Sequence, residues 1–160
     1  MKRPPAARQN ALNAVLSHRD VWQQLIDGAV PVAAVVEEAL RFDPPVQAWR
    51  RLALEDVDVE GVQTPAGSHI LVVFAAGNRD PQKFAAPDRF DPGRPDAQQH
   101  LTFGMGAHFC LGAPLARMEI ATMIERLAKR LPELRISADS QPEYQPNTSF
   151  RGLRRLLVEW

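Results

Sequence analysis

The sequence predicts an α+β domain, mainly α, and three observations carry that prediction. Apolar residues recur at helical spacing in three stretches. Between them, residues 49 to 75 change to short strand-like runs separated by turn signals. A glycine-rich loop over residues 101 to 112 then leads into the last helical stretch. At 160 residues and 45% hydrophobic composition, the chain suits one domain spanning 1–160 rather than two.

The elements follow in order. Residues 1 to 10 show no helical apolar spacing and are expected to be disordered. From 11 to 26, Leu12, Val15, Leu16, Val21, Trp22, Leu25 and Ile26 mark an amphipathic helix, interrupted near His18 to Asp20. Gly28 and Pro31 end it and open the next, which carries Val32, Val35, Val36, Ala39 and Leu40. That helix must stop at Asp43-Pro44-Pro45, because a residue before proline is pushed out of the helical region. Short strands are expected over 49 to 54, 57 to 59 and 69 to 74, with turns at Glu60-Gly61 and Pro65-Ala66-Gly67, making a small mixed sheet. Residues 77 to 100 carry prolines at 81, 87, 92 and 95 and form an irregular meander held by specific contacts. A third main helix runs from about Ala113 to Arg130, with Pro114 in its first turn and Leu115, Met118, Ala121, Thr122, Ile124, Leu127 and Leu131 toward the core. Strands near 134–137 and 153–159 complete the chain.

Composition excludes several classes. The 19 basic and 19 acidic residues balance, which argues against a nucleic-acid binder. The cluster Arg151, Arg154 and Arg155 reads as a solvated face. No run approaches the roughly 18 apolar residues of a membrane span, and MKRPPAARQN has positive charge but no apolar stretch behind it long enough for a signal peptide. One cysteine allows no internal disulfide, and a cytoplasmic protein is expected.

That cysteine stands in Phe103-Gly104-Met105-Gly106-Ala107-His108-Phe109-Cys110-Leu111-Gly112. A lone cysteine is ordinarily a small buried hydrophobe. Here glycines at 104, 106 and 112 permit tight turns and close approach to a flat ligand. Cys110 lies just ahead of a helix start, where unpaired N–H groups and the positive dipole end favour an anionic sulfur. Gly112 and Ala113 are the expected N–H donors to it. A zinc site is the weaker reading, since His18, His69 and His100 have no metal-ligand spacing.

The loop resembles the haem-binding loop of the cytochrome P450 family, Phe-x-x-Gly-x-His-x-Cys-x-Gly, matching at Phe103, Gly106, His108, Cys110 and Gly112. The resemblance implies haem b (iron protoporphyrin IX) with Cys110 as axial iron ligand, Phe103 beside the sulfur and His108 donating to a propionate. Two further segments resemble the family. Glu38 and Arg41 share a helix face in EEALRFDPPV; alone they would be an ion pair worth about 0.3–0.5 kcal/mol. The resemblance instead makes them part of a buried structural triad, with Arg89 of the meander as third member. Arg51, in RLALEDVDVEG, is the expected second propionate ligand, with Arg50 as its neighbouring competitor. Asn78-Arg79-Asp80-Pro81 reads as a helix-capping turn.

The resemblance covers the C-terminal portion of a bacterial-type, soluble family member, so the distal helix and most substrate-choosing elements are expected upstream of residue 11. It implies a monooxygenase acting on a small organic substrate in the complete enzyme. A ferredoxin-type donor would meet the proximal face near Arg117, Arg126, Lys129 and Arg130. This chain would then need a complementing N-terminal part; the alternatives are a non-catalytic haem-binding or electron-transfer module and an inactive truncated remnant. Val46 to Trp49 and Asn147 to Phe150 are the remaining candidates for pocket walls.

Overall fold

The computed structural model describes residues 6–160. Its helices are α1 (Ala6–Ser17), α2 (Arg19–Ile26), α3 (Val32–Phe42), a short α4 (Phe74–Gly77) and α5 (Ala113–Arg130). The predicted interruption falls at His18, whose backbone leaves the helical region (φ −115°, ψ 79°) while its Nδ1–H donates to the Ala14 carbonyl at 2.7 Å. Residues 1–5 lie outside the described residues, but the expected disorder of 6–10 is corrected. Asn10 is fully buried, donating to the carbonyls of Asp43 (3.3 Å) and Arg151 (2.9 Å) and accepting from Leu153 N–H (3.4 Å). One amide thus ties the first helix to the end of α3 and to the last strands, a role with no apolar signature.

The core lies where α1, α2, α3 and α5 meet, around Val15, Leu16, Trp22, Val35, Val36, Leu40, Ile120, Ile124 and Leu134. Trp22 fills it and still satisfies its indole N–H on the Pro132 carbonyl at 2.8 Å. α5 buries Ala113, Ile120, Ile124 and Ala128. Leu115 and Met118, expected in the core, are exposed. α5 carries two apolar stripes, and the 115–118 stripe continues outward from Leu111, which is 98% exposed.

The small sheet takes the form of four two-stranded antiparallel ribbons. β1 (Trp49–Leu52) pairs with β4 (His69–Val72), and β2 (Val57–Val59) with β3 (Val62–Thr64). β5 (Arg135–Ile136) pairs with β8 (Val158–Glu159), and β6 (Glu143–Tyr144) with β7 (Leu153–Arg155). The single strand expected at 153–159 is therefore two, each serving a different partner.

The meander is organised by one buried ion cluster. Glu38 takes a bidentate contact from Arg41, Nε to Oε2 at 2.7 Å and Nη2 to Oε1 at 2.9 Å, with both side chains fully buried. The third member is Arg94, not Arg89: Arg94 Nε lies 3.0–3.1 Å from both carboxylate oxygens. Asp91-Pro92-Gly93 folds the chain back, with Arg94 N–H on the Asp91 carbonyl (3.1 Å), so position 94 faces α3. Arg89 points its side chain outward, 73% exposed, and contributes its carbonyl to both Arg41 (3.2 Å) and Arg94 (3.1 Å). Removing one partner of a buried carboxylate leaves uncompensated charge. Arg94→Ala is therefore expected to cost about 3–5 kcal/mol in urea unfolding. Arg89→Ala should change stability by less than about 0.5 kcal/mol. A larger loss for Arg89→Ala would contradict the assignment.

Candidate functional site

The cysteine loop is built by short-range bonds. Gly104 N–H caps a turn on the Leu101 carbonyl (2.8 Å), and Phe109 N–H reaches the Gly106 carbonyl (3.0 Å). Cys110 N–H then closes the loop on the Phe103 carbonyl at 2.9 Å. Gly104 and Gly106 hold φ of +73° and +72°, a region in which a side chain is strained. Gly112 is the N-cap of α5, and a Cβ there would stand 3.8 Å from Cys110 Sγ. Of the two expected N–H donors to sulfur, Ala113 is already engaged by the Cys110 carbonyl (3.1 Å), which leaves Gly112.

Cys110 is exposed and lines a groove of about 570 Å³, within the range of small-molecule and cofactor sites. Arg51 and His108 line the same groove, among apolar walls from Val46, Trp49, Phe74 and Phe103. β1 explains the choice between the two arginines: Arg51 shares a strand face with Trp49, two residues away, and Arg50 falls on the other. Trp49 is braced edge-to-face by Phe150, 5.8 Å between centroids, and Val46 bridges to Phe150. The donor set suits a haem: one sulfur for the iron, an arginine and a histidine as N–H donors for two carboxylates, and apolar surface for the ring. Among the described residues no group of three or more His, Cys, Asp or Glu side chains could hold a bare metal ion. No helix among them is long and apolar enough to cross a membrane.

Several residues that hold this site escaped the sequence reading. Asn78 caps α4 as expected, but its buried side chain also pins the entry to the loop. Its Oδ1 accepts from Leu101 N–H (2.6 Å) and its Nδ2 donates to Thr102 Oγ1 (3.0 Å). Thr102 in turn donates to the Leu40 carbonyl on α3 (2.7 Å). Glu37, beside the triad glutamate, receives Arg117 of α5 bidentately at 2.6 and 3.0 Å. His100 Nε2 lies 3.3 Å from Glu37 Oε2, close but poorly aligned for a hydrogen bond. Burial pushes the Glu37 carboxyl up, but the contacts from His100 and Arg117 outweigh it and hold the group at about 2. The available signal was the Glu37-Glu38 pair itself: neighbours on a helix point about 100° apart, so two buried acids need two partner sets.

A glycine-shaped loop presenting one thiol, with a histidine and an arginine in the same apolar groove, defines a haem-thiolate class of site. Comparison with known proteins agrees: the family model for Cytochrome P450 matches residues 6–154, and the chain belongs to the cytochrome P450 family. It is 40% identical over 153 residues to the cytochrome P450 monooxygenase PikC of Streptomyces venezuelae, covering 94% of this chain and 36% of that protein. It is 42% identical over 151 residues to the vitamin D(3) 25-hydroxylase of Pseudonocardia autotrophica, covering 93% and 37%. The P450 heme domain of Tepidiphilus thermophilus superposes with a TM-score of 0.93 at 45% identity, over 97% of this chain and 37% of that one. The chain thus spans little more than a third of the length of these relatives. The family's cofactor is haem b.

The depressed Glu37 carboxyl has a pH consequence. Its folded value of about 2, against an ordinary 4.5, stabilises the fold by roughly 3 kcal/mol above pH 4.5. That contribution is lost as pH falls from 4.5 toward 2, where the folded-state carboxyl also takes up its proton. Urea midpoints measured across this window should fall for the wild-type chain. The fall should be shallower in Glu37→Gln by about that amount, and equal slopes would refute the assignment.

Proposed function

We propose that this chain is the thiolate-ligating part of a bacterial-type cytochrome P450 monooxygenase, which in the complete enzyme hydroxylates a small organic substrate. The observation that carries the reading is the meeting of Cys110, His108 and Arg51 in one groove. Haem b, when bound, supplies dioxygen activation, and a thiolate ligand favours O–O cleavage. Cys110 would hold the iron, and the closed loop behind it fixes the direction of its sulfur. His108 and Arg51 would grip the propionates through charge-assisted bonds, setting the ring's rotation. Phe103, which lines the same groove, would shield the inner side of the sulfur from water and keep its surroundings apolar.

Electrons would come from a ferredoxin-type protein. Arg126, Lys129 and Arg130 are exposed on α5 and offer positive charge to an acidic partner. Arg117 is withdrawn from that set by its bond to Glu37. A reducing cytoplasm suits a lone thiol that must stay free to bind iron. Because the matched relatives are nearly three times longer, activity is assigned to this chain together with a complementing N-terminal part. A second reading, a haem-binding module without turnover, is favoured by the exposed apolar residues Met105, Phe109 and Leu111 around the thiol.

Reconstitution decides between the readings. The chain mixed with haem, reduced and exposed to carbon monoxide should give a strongly red-shifted Soret band, lost in Cys110→Ser. No haem uptake would refute both readings for this chain. Product formation with an electron donor and the complementing part would reject the module.

A further inference from the structure

α3 presents two adjacent carboxylates to two different parts of the chain. Glu38 serves the meander. Glu37 stands instead between the two ends of the cysteine loop. On the entry side, His100 is packed with its side chain 1% exposed and within 3.3 Å of Glu37. On the exit side, Arg117 projects from the second turn of α5 and clasps both Glu37 oxygens.

The hydrogen-bond pattern fixes the histidine. Thr102 N–H donates to His100 Nδ1 at 3.2 Å, so Nδ1 is the acceptor and the ring proton sits on Nε2, facing the carboxylate. The Nε2–H makes no hydrogen bond, and Glu37 Oε2 stands 3.3 Å from it, a contact by proximity rather than alignment. Two of the three residues, His100 and Arg117, also flank Phe103. The Arg117 guanidinium lies 4.6 Å from the Phe103 ring centroid, and the His100 ring lies 5.7 Å away. Phe103 is the residue whose carbonyl receives the Cys110 N–H.

We propose that Glu37, His100 and Arg117 form a latch that positions the cysteine loop by clamping its two ends to α3, with Phe103 as the part it holds. All three are positioning residues, since none lines the groove. The inference deepens the haem-thiolate reading and rests on it for its purpose, but the clamp itself acts in the chain without haem.

The test is amide hydrogen exchange on the full 160-residue chain without haem, followed by mass spectrometry. Arg117→Ala should accelerate exchange in the peptide covering 101–112 by about tenfold or more, and in the α5 peptide covering 120–128 much less. Arg117→Lys keeps the charge but loses the fork, and should give a smaller acceleration in the same loop peptide. Arg8→Ala, which removes an exposed contact to Glu119 on the same helix, should leave both peptides unchanged. Unchanged loop exchange in Arg117→Ala would overturn the latch. Equal acceleration of loop and helix, or loss of the folded state in Arg117→Lys, would show a merely global role and overturn it too. A second readout uses haem: Arg117→Ala should lower the fraction of the carbon monoxide complex with the thiolate-type band. Should the wild-type chain take up no haem, the haem-thiolate reading fails while the exchange result still decides the latch.

Discussion

A carboxylate buried without water must receive hydrogen bonds from every side, and Glu38 does so at the centre of this fold. Arg41 and Arg94 contact both of its oxygens, and Asp91 N–H adds a further bond to Oε1 at 2.8 Å. The two guanidiniums then have donors left over, and these go to the carbonyls of Asn78, Ala85, Ala86, Pro87 and Arg89. A segment with almost no regular structure is thereby held by its backbone, which is how a proline-rich meander stays ordered without a ladder of its own. Net stability from such a cluster is small, because desolvation offsets most of the Coulomb gain. Its consequence is specificity of shape: few other backbone paths place those carbonyls around one arginine pair.

From that node the order passes outward to the cysteine. Asn78 gives its carbonyl to Arg41 and its side chain to Leu101 and Thr102, so the end of α4 and the start of the loop share one anchor. The strands contribute from the other side. β1 aims Arg51 into the groove, and Phe150, arriving from far along the chain, supports Trp49 beside it. Hydrogen bonds decide where the thiol stands, and aromatic packing decides what surrounds it.

The sequence made much of this legible because helices and the loop announce themselves locally. Apolar spacing located α2, α3 and α5, the Pro44-Pro45 pair placed the end of α3, and five loop residues at fixed intervals nominated the ligand. What stayed hidden depends on where a chain returns in space. Arg89 and Arg94 are both meander arginines, and only the reversal at Gly93 decides which one reaches Glu38. Asn10 looks like any polar residue before a helix, and its three buried bonds reach residues 33 to 143 positions away. Leu115 and Met118 failed for the opposite reason: their spacing is helical, but a helix with two apolar stripes does not say which one is inside.

That second stripe sharpens the contrast between the two sides of Cys110. Behind the loop, buried charge clusters and the α3–α5 core leave little freedom to the backbone. On the outside of the loop and along the first turns of α5, Met105, Phe109, Leu111, Leu115 and Met118 present apolar surface to water. Scattered exposed apolar side chains are ordinary, but five along the cysteine loop and the first turns of α5 make a continuous stretch of sequence with apolar surface outside the groove. A haem ring would cover the groove itself, whose apolar walls with one arginine and one histidine suit a flat ring bearing two carboxylates. The rigid side therefore determines how the sulfur points, and the apolar side determines how strongly water competes for it. A thiolate ligand depends on both, since its donation to iron weakens with each hydrogen bond that solvent makes to it.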